Sequence, residues 1–537
     1  MKWPKKCCLL ILAATIVAIA LRMPRLEQRP MHVDEAVNAV KFGELLEEGF
    51  YRYDPDGYHG PTLNYLTLIP AWLSSAGKLT EVSEFTLRIV PVFFGVLLIL
   101  MPLLLADAIS WPAAIIAAVL TAVSPAFVFY SRYYIHEMLL VCFTFAVIVC
   151  GWRYTQNKNI KWALLTGIFL GLMHATKETC IIAFGSMLLA LLLTLLLQRR
   201  QEGISNTIKA IKPRHVIVTI VAAVIVSTLF YSSFFTNPTG VLDSFGTYTT
   251  YFNRASQDQW HIHRWYYYLD ILTWVEGFEK VTWNEDFIVV LAVVGFIIAM
   301  TKKSTSAVNF NLLRFVAFYT LIMTAIYSAI PYKTPWSMLS FFHGMILLAG
   351  VGAAILIKVS LYWWEKLAVW VLLVSFGLLP PAGQAYLGSF HYYADPSNPY
   401  VYAHPTKDVF DINQRIEEVA QAHPDGRNMY IQVICPAGDY WPLPWYLRSF
   451  PNVGWWNNVD ENVPAAPVII ASPSAEPALM RKLYELPPPG EKNLYVPLFD
   501  SYMELRPQVE LKGFITKNLW DSYQQFKAQL LEPKTNK

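Results

Sequence analysis

Long apolar runs alternate with short charged connectors over the first 383 residues, and a more ordinary mixture of residues follows. Each run is close to the roughly 20 residues that an α-helix needs to cross a bilayer. A shorter apolar stretch, 62–76, contains Pro70 and is predicted to lie in or dip into the membrane interface. The pattern predicts eleven transmembrane helices, at residues 7–24, 86–106, 112–130, 135–152, 160–176, 179–198, 214–235, 286–301, 312–330, 336–357 and 364–383.

The remainder, residues 384–537, is predicted to be a small soluble α/β domain beside the transmembrane domain 1–383. Residues 408–421 have the pattern of a helix, and residues 428–434 and 466–471 have that of buried strands. A short helix flanked by prolines lies between the two strands, and this order favours an α/β layer. Five aromatic side chains of this domain form either its core or a surface that binds the acceptor, and we favour the core. Among them, Trp455 and Trp456 are the pair that we expect to be exposed. The five are Trp441, Trp445, Tyr446, Trp455 and Trp456.

Lysine and arginine in the short connectors predict the orientation, because cytoplasmic loops carry an excess of both. The basic segment 2–6 predicts a cytoplasmic N-terminus, and alternation then places every strongly basic connector on the cytoplasmic side. A cleaved signal peptide at the N-terminus is the alternative, and residue 34 lies outside in either case. We therefore expect a multi-pass protein of the plasma (inner) membrane. Its outer segments are the first loop 25–85, then 131–134, 177–178, 236–285, 331–335 and the residues after 384.

Composition and motifs exclude several classes of function. The net charge of +3 is too small to indicate a nucleic-acid partner. Of the six cysteines only Cys435 lies in the outer domain, so no disulfide can form within it, and no CxxC spacing occurs. The sequence contains neither a Walker loop nor a G-x-G-x-x-G motif, so nothing indicates a nucleotide as donor or energy source.

Charged residues cluster in the predicted outer segments, which is costly beside a membrane span and usually functional. Asp34 and Glu35, preceded by His32, open a predicted helix that ends near Glu48. The simpler interpretation is that Asp34 is an N-cap and Glu35 a first-turn acid. Later in the same loop, His59 precedes a Gly-Pro pair.

The tight connections between spans carry further charges. Arg132, His136 and Glu137 lie between the third and fourth spans, and Lys177 and Glu178 form the tip of the hairpin between the fifth and sixth. The alternatives are snorkelling of Arg132 to the interface and a self-neutralised Lys177–Glu178 turn.

Two later outer segments add cations and histidines. Lys333 lies between two prolines, which make a rigid break and fix the direction of the cation. In the loop 236–285, Arg264 follows His261 and His263, whose spacing can serve a divalent cation on an extended segment. Cations suit a phosphate, acids suit a general base or a metal, and aromatics suit sugar rings or lipid chains. A substrate with a phosphate headgroup in the outer leaflet fits all three.

The order of these motifs resembles that of the polyprenyl-phosphate-sugar-dependent glycosyltransferases, the membrane GT-C superfamily. This superfamily includes the protein O-mannosyltransferases and the aminoarabinose transferase that acts on lipid A. Within it, residues 330–336 and 439–448 resemble a prokaryotic subfamily, some members of which are labelled flippase activity-associated.

The resemblance implies inverting transfer of a sugar from a polyprenyl-phosphate donor to a protein, lipid or glycan acceptor. It implies that Asp34 is the general base, with Glu35 its neighbour in the motif, that Glu137 is the second acidic position, and that Lys177 binds the lipid phosphate. Location alone adds Arg132, Lys333 and Arg264 as further phosphate ligands. Residues that could support the site or bind a metal are His32, His59, His136, Glu178, His261 and His263.

A second class of function is a lipid-linked sugar flippase or transporter, or a non-catalytic helper of one. Transporters are expected to carry charges near the bilayer midplane, broken helices and repeated halves. Here the charges concentrate at the predicted outer ends of spans, and no internal repeat is evident. The sequence therefore favours the enzyme.

Overall fold

The computed structural model describes residues 5–57, 59–202, 212–257, 261–273, 275–276, 282–301, 308–488, 490 and 492–531. By its internal contacts the chain divides into two compact units. The first unit consists of Met1–Leu26, Glu44–Gly77 and Ser83–Tyr402, and the second of Glu27–Gly43, Lys78–Val82 and Ala403–Lys537. The hydrophobic pattern put the boundary at residue 383 because its last apolar run ends there. It also gave no sign that part of the first loop packs with the C-terminal residues.

α-Helices make up most of the chain before residue 391, and one helix, α2, has residues in both units. Two short strands, β1 (Val275–Glu276) and β2 (Thr282–Trp283), pair antiparallel in the first unit. The helices are α1 (Lys5–Arg22), α2 (Val33–Glu48), α3 (Thr62–Leu73), α4 (Glu84–Leu100), α5 (Ala106–Ile109), α6 (Trp111–Val123), α7 (Pro125–Ser131), α8 (Glu137–Asn157), α9 (Ile160–His174), α10 (Cys180–Glu202), α11 (Pro213–Tyr231), α12 (Gly240–Gln257), α13 (Tyr267–Thr273), α14 (Asp286–Met300), α15 (Phe310–Ala329), α16 (Leu339–Val359), α17 (Trp363–Leu372) and α18 (Leu379–Phe390).

Eleven apolar helical segments among the described residues correspond one for one to the eleven predicted spans. The bent pair α6–α7 forms an eighth candidate span beside seven continuous ones, and Cys7–Arg22, α9 and α14 are shorter apolar helices. The polytopic helical fold class is thereby confirmed. The seven segments that are long and apolar enough to cross a membrane are Glu84–Ile109, Glu137–Asn157, Cys180–Leu197, Pro213–Tyr231, Phe310–Ala329, Pro335–Val359 and Trp363–Phe390.

The third predicted span is broken, with an angle of 59° between α6 and α7. Pro125 begins α7 and has no N–H, so the helix cannot continue through it. The Ser124 hydroxyl accepts a hydrogen bond from the Phe127 N–H. The Arg22 guanidinium donates to the carbonyls of Thr121, at 2.9 Å, and Ala122, at 2.7 Å. These contacts satisfy backbone groups that an apolar environment would otherwise leave unpaired.

Helix α3 confirms that the short apolar stretch within the first loop is helical. Pro70 lies inside this helix. Trp72 and Leu73 are exposed at its end. Its location at the membrane interface stays a prediction.

The second unit contains a mixed sheet of six strands. Their order is β4-β3-β5-β8-β6, with β7 paired to β8. Strand β3 lies parallel to both of its neighbours, with Ile431 opposite Val453 of β4 and opposite Val468 of β5. The strands are β3 (Ile431–Ile434), β4 (Val453–Trp456), β5 (Val468–Ala471), β6 (Tyr495–Pro497), β7 (Met503–Arg506) and β8 (Val509–Thr516).

Helices pack with this sheet and confirm the predicted α/β layer. Ile434, Ile469 and Leu479 belong to one buried apolar cluster of the unit. Trp445 is fully buried, as expected of a core residue, whereas Trp455 and Trp456 are half-buried in β4. The helices are α19 (Asp408–Ala422), α20 (Leu443–Tyr446), α21 (Glu476–Met480) and α22 (Lys517–Leu531).

Candidate functional site

An ion pair joins two of the sequence-predicted site residues in the first unit. Lys177 lies in the tight turn between α9 and α10, and its ammonium donates to the carboxylate of Glu137, the first residue of α8. The side chains are only 11% and 6% exposed, so solvent screens the pair weakly. The Lys177 ammonium therefore has an acidic partner outside its own turn, which the simpler interpretation of a Lys177–Glu178 pair did not include.

Glu178 pairs instead with His59 of the first loop. The distance from His59 Nδ1 to Glu178 Oε2 is 2.9 Å, and the Tyr53 hydroxyl donates to Oε1 at 3.1 Å. Burial by itself would raise the pKa of Glu178, but the charge and hydrogen bond of His59, together with the charge of Lys177, outweigh it. The pKa of Glu178 is therefore lowered. A negative charge is thus held beside the Lys177–Glu137 pair.

Backbone contacts fix the first loop against the turn that carries Lys177. The Thr62 N–H donates to the Ala175 carbonyl at 3.1 Å, and the hydroxyls of Thr62 and Thr176 are 2.8 Å apart. A Cβ on Gly60 would lie 2.3 Å from the Ala175 oxygen, so no other residue fits there without movement. His136 Nε2 lies 3.0 Å from the Gly60 carbonyl. The structure therefore brings together three segments that sequence analysis selected separately.

In the second unit the two adjacent acids, Asp34 and Glu35, have different surroundings. Glu35 is fully buried, and its carboxylate accepts from the Arg29 guanidinium at 3.0 Å and from the His32 N–H at 3.0 Å. In return, His32 Nδ1 accepts from the Asp34 N–H at 3.1 Å. This is the reciprocal pattern of a capping box, with histidine at the N-cap of α2. The Asp34 side chain is 50% exposed.

Contacts within the second unit hold this helix start in place. The Met31 N–H donates to the Tyr446 hydroxyl at 2.8 Å. The rings of His32 and His404 lie 5.8 Å apart. Burial, followed by the charges of Arg29 and His32, lowers the pKa of His404 well below its usual range. The backbone around Asp34 is thus held by buried contacts, while its side chain is half-exposed.

Arg132 has contacts different from those that sequence analysis proposed. Its guanidinium donates to the carbonyls of Arg22 and Pro24, both at 2.8 Å, and of Arg25, at 3.1 Å, and it stacks over Phe390. These contacts hold the end of α1. They give no support to the predicted phosphate-binding role.

Lys333, His261 and His263 form a separate group in the first unit. The Lys333 ammonium donates to the Ile330 carbonyl, and burial lowers its pKa. Both imidazoles lie against the Tyr402 hydroxyl, at 2.6 Å for His261 and 3.0 Å for His263. Arg264 is exposed, and its guanidinium contacts the Tyr266 hydroxyl.

The sequence leaves a divalent cation open, and such an ion needs a set of ligating side chains close together. Among the residues that the structure describes, no group of three or more His, Cys, Asp or Glu side chains is placed to hold a metal ion. The two histidines of the H-x-H segment share a tyrosine hydroxyl instead.

Glu285, which the sequence does not single out, is fully buried just before α14. It accepts from the Ser124 hydroxyl, the Ala126 N–H at 3.0 Å and the Tyr400 hydroxyl at 3.0 Å, and so caps the broken helix pair. Burial raises the pKa of Glu285 to about 7, against the opposing effect of these hydrogen bonds. Its only signal in the sequence is an acid next to an apolar run, which is the ordinary beginning of a span.

Comparison with known proteins supports the architecture. Residues 68–238, which include Glu137 and Lys177, match the model of the family described as dolichyl-phosphate-mannose-protein mannosyltransferase. No curated protein sequence gives a significant match to the chain.

Solved structures share the fold at low sequence identity. ArnT from Cupriavidus metallidurans bound to undecaprenyl phosphate aligns with a TM-score of 0.60 and 14% identity, over 94% of this chain and 97% of ArnT. The oligosaccharyltransferase of Archaeoglobus fulgidus tethered with an acceptor peptide aligns with a TM-score of 0.55 and 12% identity, over 84% of this chain and 63% of that one. AglB from the same organism, in complex with an inhibitory peptide and a dolichol-phosphate, aligns with a TM-score of 0.53 and 13% identity, over 88% of this chain and 70% of that one. The predicted GT-C fold is therefore confirmed.

Proposed function

We propose that this chain is an inverting glycosyltransferase that moves a sugar from a polyprenyl-phosphate donor to a hydroxyl group of a protein, lipid or glycan acceptor. The observation that carries the proposal is the buried Lys177–Glu137 pair, which lies within the segment matched by the mannosyltransferase family. The similar fold of ArnT, in a structure with bound undecaprenyl phosphate, supports the same class of donor.

Lys177 is assigned to the donor phosphate. Its ammonium is a cation that the Glu137 carboxylate holds in a fixed place. When the bond between the anomeric carbon and the phosphate oxygen breaks, negative charge grows on the leaving phosphate. A fixed cation in a site with little water stabilises that charge most effectively. Glu137 and Glu178 are assigned the role of positioning Lys177, because Glu137 is paired with Lys177 itself and Glu178 with His59.

Asp34 is assigned as the general base. Its half-exposed carboxylate takes the proton of the acceptor hydroxyl while the acceptor oxygen forms the new bond to the anomeric carbon. Attack from the face opposite the phosphate inverts the configuration at that carbon. Glu35 is assigned a positioning role, because its buried carboxylate is held by Arg29 and by the cap of α2.

The test is a transfer assay in lipid nanodiscs with radiolabelled polyprenyl-phosphate sugars and a crude envelope acceptor. Asp34→Asn is expected to lower transfer by about 10²- to 10⁴-fold while donor binding persists. Lys177→Ala is expected to lower both donor binding and transfer. Lys161→Ala, at the exposed start of α9, the helix that ends just before the Lys177 turn, is expected to leave them unchanged. Movement of a lipid-linked sugar across the bilayer without transfer from any donor, or transfer indifferent to Asp34, would replace this proposal with a flippase or helper.

A further inference from the structure

The carboxyl edge of the parallel strands in the second unit has the topology of a ligand-binding crevice. From β3 the chain passes to β4 on one side of it and then to β5 on the other. The connections after β3 and after β5 therefore diverge at one end of the sheet. In open α/β sheets, ligands bind outside the carboxyl ends of strands at such a switch point.

The loop that follows β3 projects aromatic side chains at this edge. Ala437 and Gly438 have φ values of 57° and 76°, so the chain turns sharply just after the strand. Tyr440 and Trp441 follow the turn. The Tyr440 ring lies 4.9 Å from that of Trp455, near the end of β4, and 6.2 Å from that of Trp441. All three rings are half-buried, in contrast to Trp445 in the core.

Charged and hydroxyl groups accompany these rings. The Arg506 guanidinium donates to the Asp439 carboxylate, with the side chains 19% and 46% exposed. Lys512 lies opposite Ala471, the last residue of β5, and its ammonium is 2.6 Å from Glu476. The hydroxyls of Ser472 and Ser474, which follow β5, are 2.8 Å apart. The edge therefore offers flat apolar faces beside donors and acceptors that are partly exposed.

We propose that this edge binds a neutral carbohydrate through one or more pyranose rings. A pyranose has an apolar C–H face, which packs on an aromatic ring, and a rim of hydroxyls, which hydrogen bond to charged side chains. A carbohydrate is favoured over a lipid chain because the Asp439–Arg506 pair and the hydroxyls of Ser472 and Ser474 lie at the same edge as the rings. Binding of a peptide instead is an outcome that the test below distinguishes. The proposal concerns binding alone and does not depend on the transfer reaction.

Saturation-transfer NMR tests the proposal on the full-length protein in lipid nanodiscs, because sugar-based detergents would compete for the site. The probes are neutral tetrasaccharides of mannose, glucose, galactose and N-acetylglucosamine. At least one is expected to receive magnetisation from the wild-type protein. Trp455→Ala is expected to weaken its binding by about 10-fold, since one ring contact of this kind is worth that order of magnitude. Trp520→Ala, which removes a half-buried tryptophan from α22 of the same unit, serves as the matched control with unchanged binding.

Asp439→Asn provides a second variant that does not disturb the strands, because this side chain lies in a loop and is 46% exposed. It is expected to weaken sugar binding while the thermal unfolding temperature stays unchanged, so it decides the question if Trp455→Ala fails to fold. The proposal is overturned if no tetrasaccharide binds the wild type, if a peptide or lipid probe alone binds, or if binding is the same in Trp455→Ala and Asp439→Asn as in the wild type. A protein that binds sugar but transfers none would refute only the proposed enzyme activity.

Discussion

At the scale of single residues, the adjacent acids Asp34 and Glu35 show how one motif divides its tasks. Both occupy the first turn of α2, yet Glu35 is completely buried against Arg29 and Asp34 is half-exposed. A buried carboxylate with a charged partner is already satisfied, so it is poorly suited to take a proton. An exposed carboxylate on a fixed backbone is well suited to do so.

Glu35→Gln is predicted to destabilise the protein, whereas Asp34→Asn is not. Glutamine retains the shape of the side chain and can still accept from the His32 N–H. Any loss of stability therefore reports the removal of the negative charge beside Arg29. Removing one partner of a buried ion pair costs about 3–5 kcal/mol, whereas a surface change usually costs under about 0.5 kcal/mol. Thermal unfolding followed by tryptophan fluorescence in nanodiscs measures both. Equal unfolding temperatures for the two variants would contradict the structural role of Glu35.

At the scale of elements, the packing of the first loop against the α9–α10 turn determines where Lys177 lies. The loop approaches the turn backbone to backbone at Gly60, and His59 and Tyr53 bind Glu178 from the same loop. Lys177 is thereby held between an acid of α8 and an acid of its own turn. The geometry at Lys177 thus depends on a glycine that has no chemical function of its own.

Gly60→Ala is predicted to lower both stability and transfer. Its Cβ would lie 2.3 Å from a backbone oxygen that cannot move as a flexible side chain does, so the loop must shift away from the turn. Overpacking of this kind costs about 1–3 kcal/mol. Gly151→Ala is the control, since its Cβ meets nothing within 4 Å. The unfolding temperature and the transfer rate are the measurements, and parallel behaviour of the two variants would rule out the close approach.

Glu285, at the helix break, is predicted to make stability depend on pH. In the folded protein its pKa is about 7, above the value of 4.5 usual for glutamate. The native state therefore retains a proton that the unfolded state loses between these two values, and stability falls as pH rises through this window. The loss is at most about 3 kcal/mol. The unfolding temperature should drop between pH 5 and pH 8 in the wild type, and the drop should be smaller in Glu285→Gln. Identical pH profiles would show that Glu285 does not titrate in this range.

At the scale of the whole molecule, the sequence predicts the helices far better than it predicts their partners. All eleven apolar segments were evident, because a bilayer-length run of apolar residues is a local property. The charges of the hairpin tip, Lys177 and Glu178, stood out for the same reason. By contrast, Glu285 receives its partners from residues more than 100 positions away, and residues 27–43 pack with the C-terminal unit. Contacts so distant in sequence leave no periodic pattern.

The orientation of the whole chain is a separate prediction, since the helices alone do not say which ends face the cytoplasm. The basic connectors predict that the start of α9 is cytoplasmic and that the C-terminal unit is outside. To test this by cysteine labelling, Cys7 and Cys8 are first replaced by serine, since they are not buried. The other four cysteines are buried, should not react and are left in place. A single cysteine is then introduced as Lys161→Cys, at an exposed position, or as Asp500→Cys, where the side chain is 92% exposed.

A membrane-impermeant thiol reagent added to intact cells should label Asp500→Cys at once. It should label Lys161→Cys only after the membrane is permeabilised. The protein without introduced cysteines is the control and should stay unlabelled in both conditions. The reverse pattern would place Lys177 and Asp34 on the cytoplasmic side, where a donor and acceptor of the outer leaflet could not reach them. Labelling of both positions in intact cells would mean that the number of crossings between them is even, and the one-for-one correspondence of eleven helices with eleven spans would then be wrong.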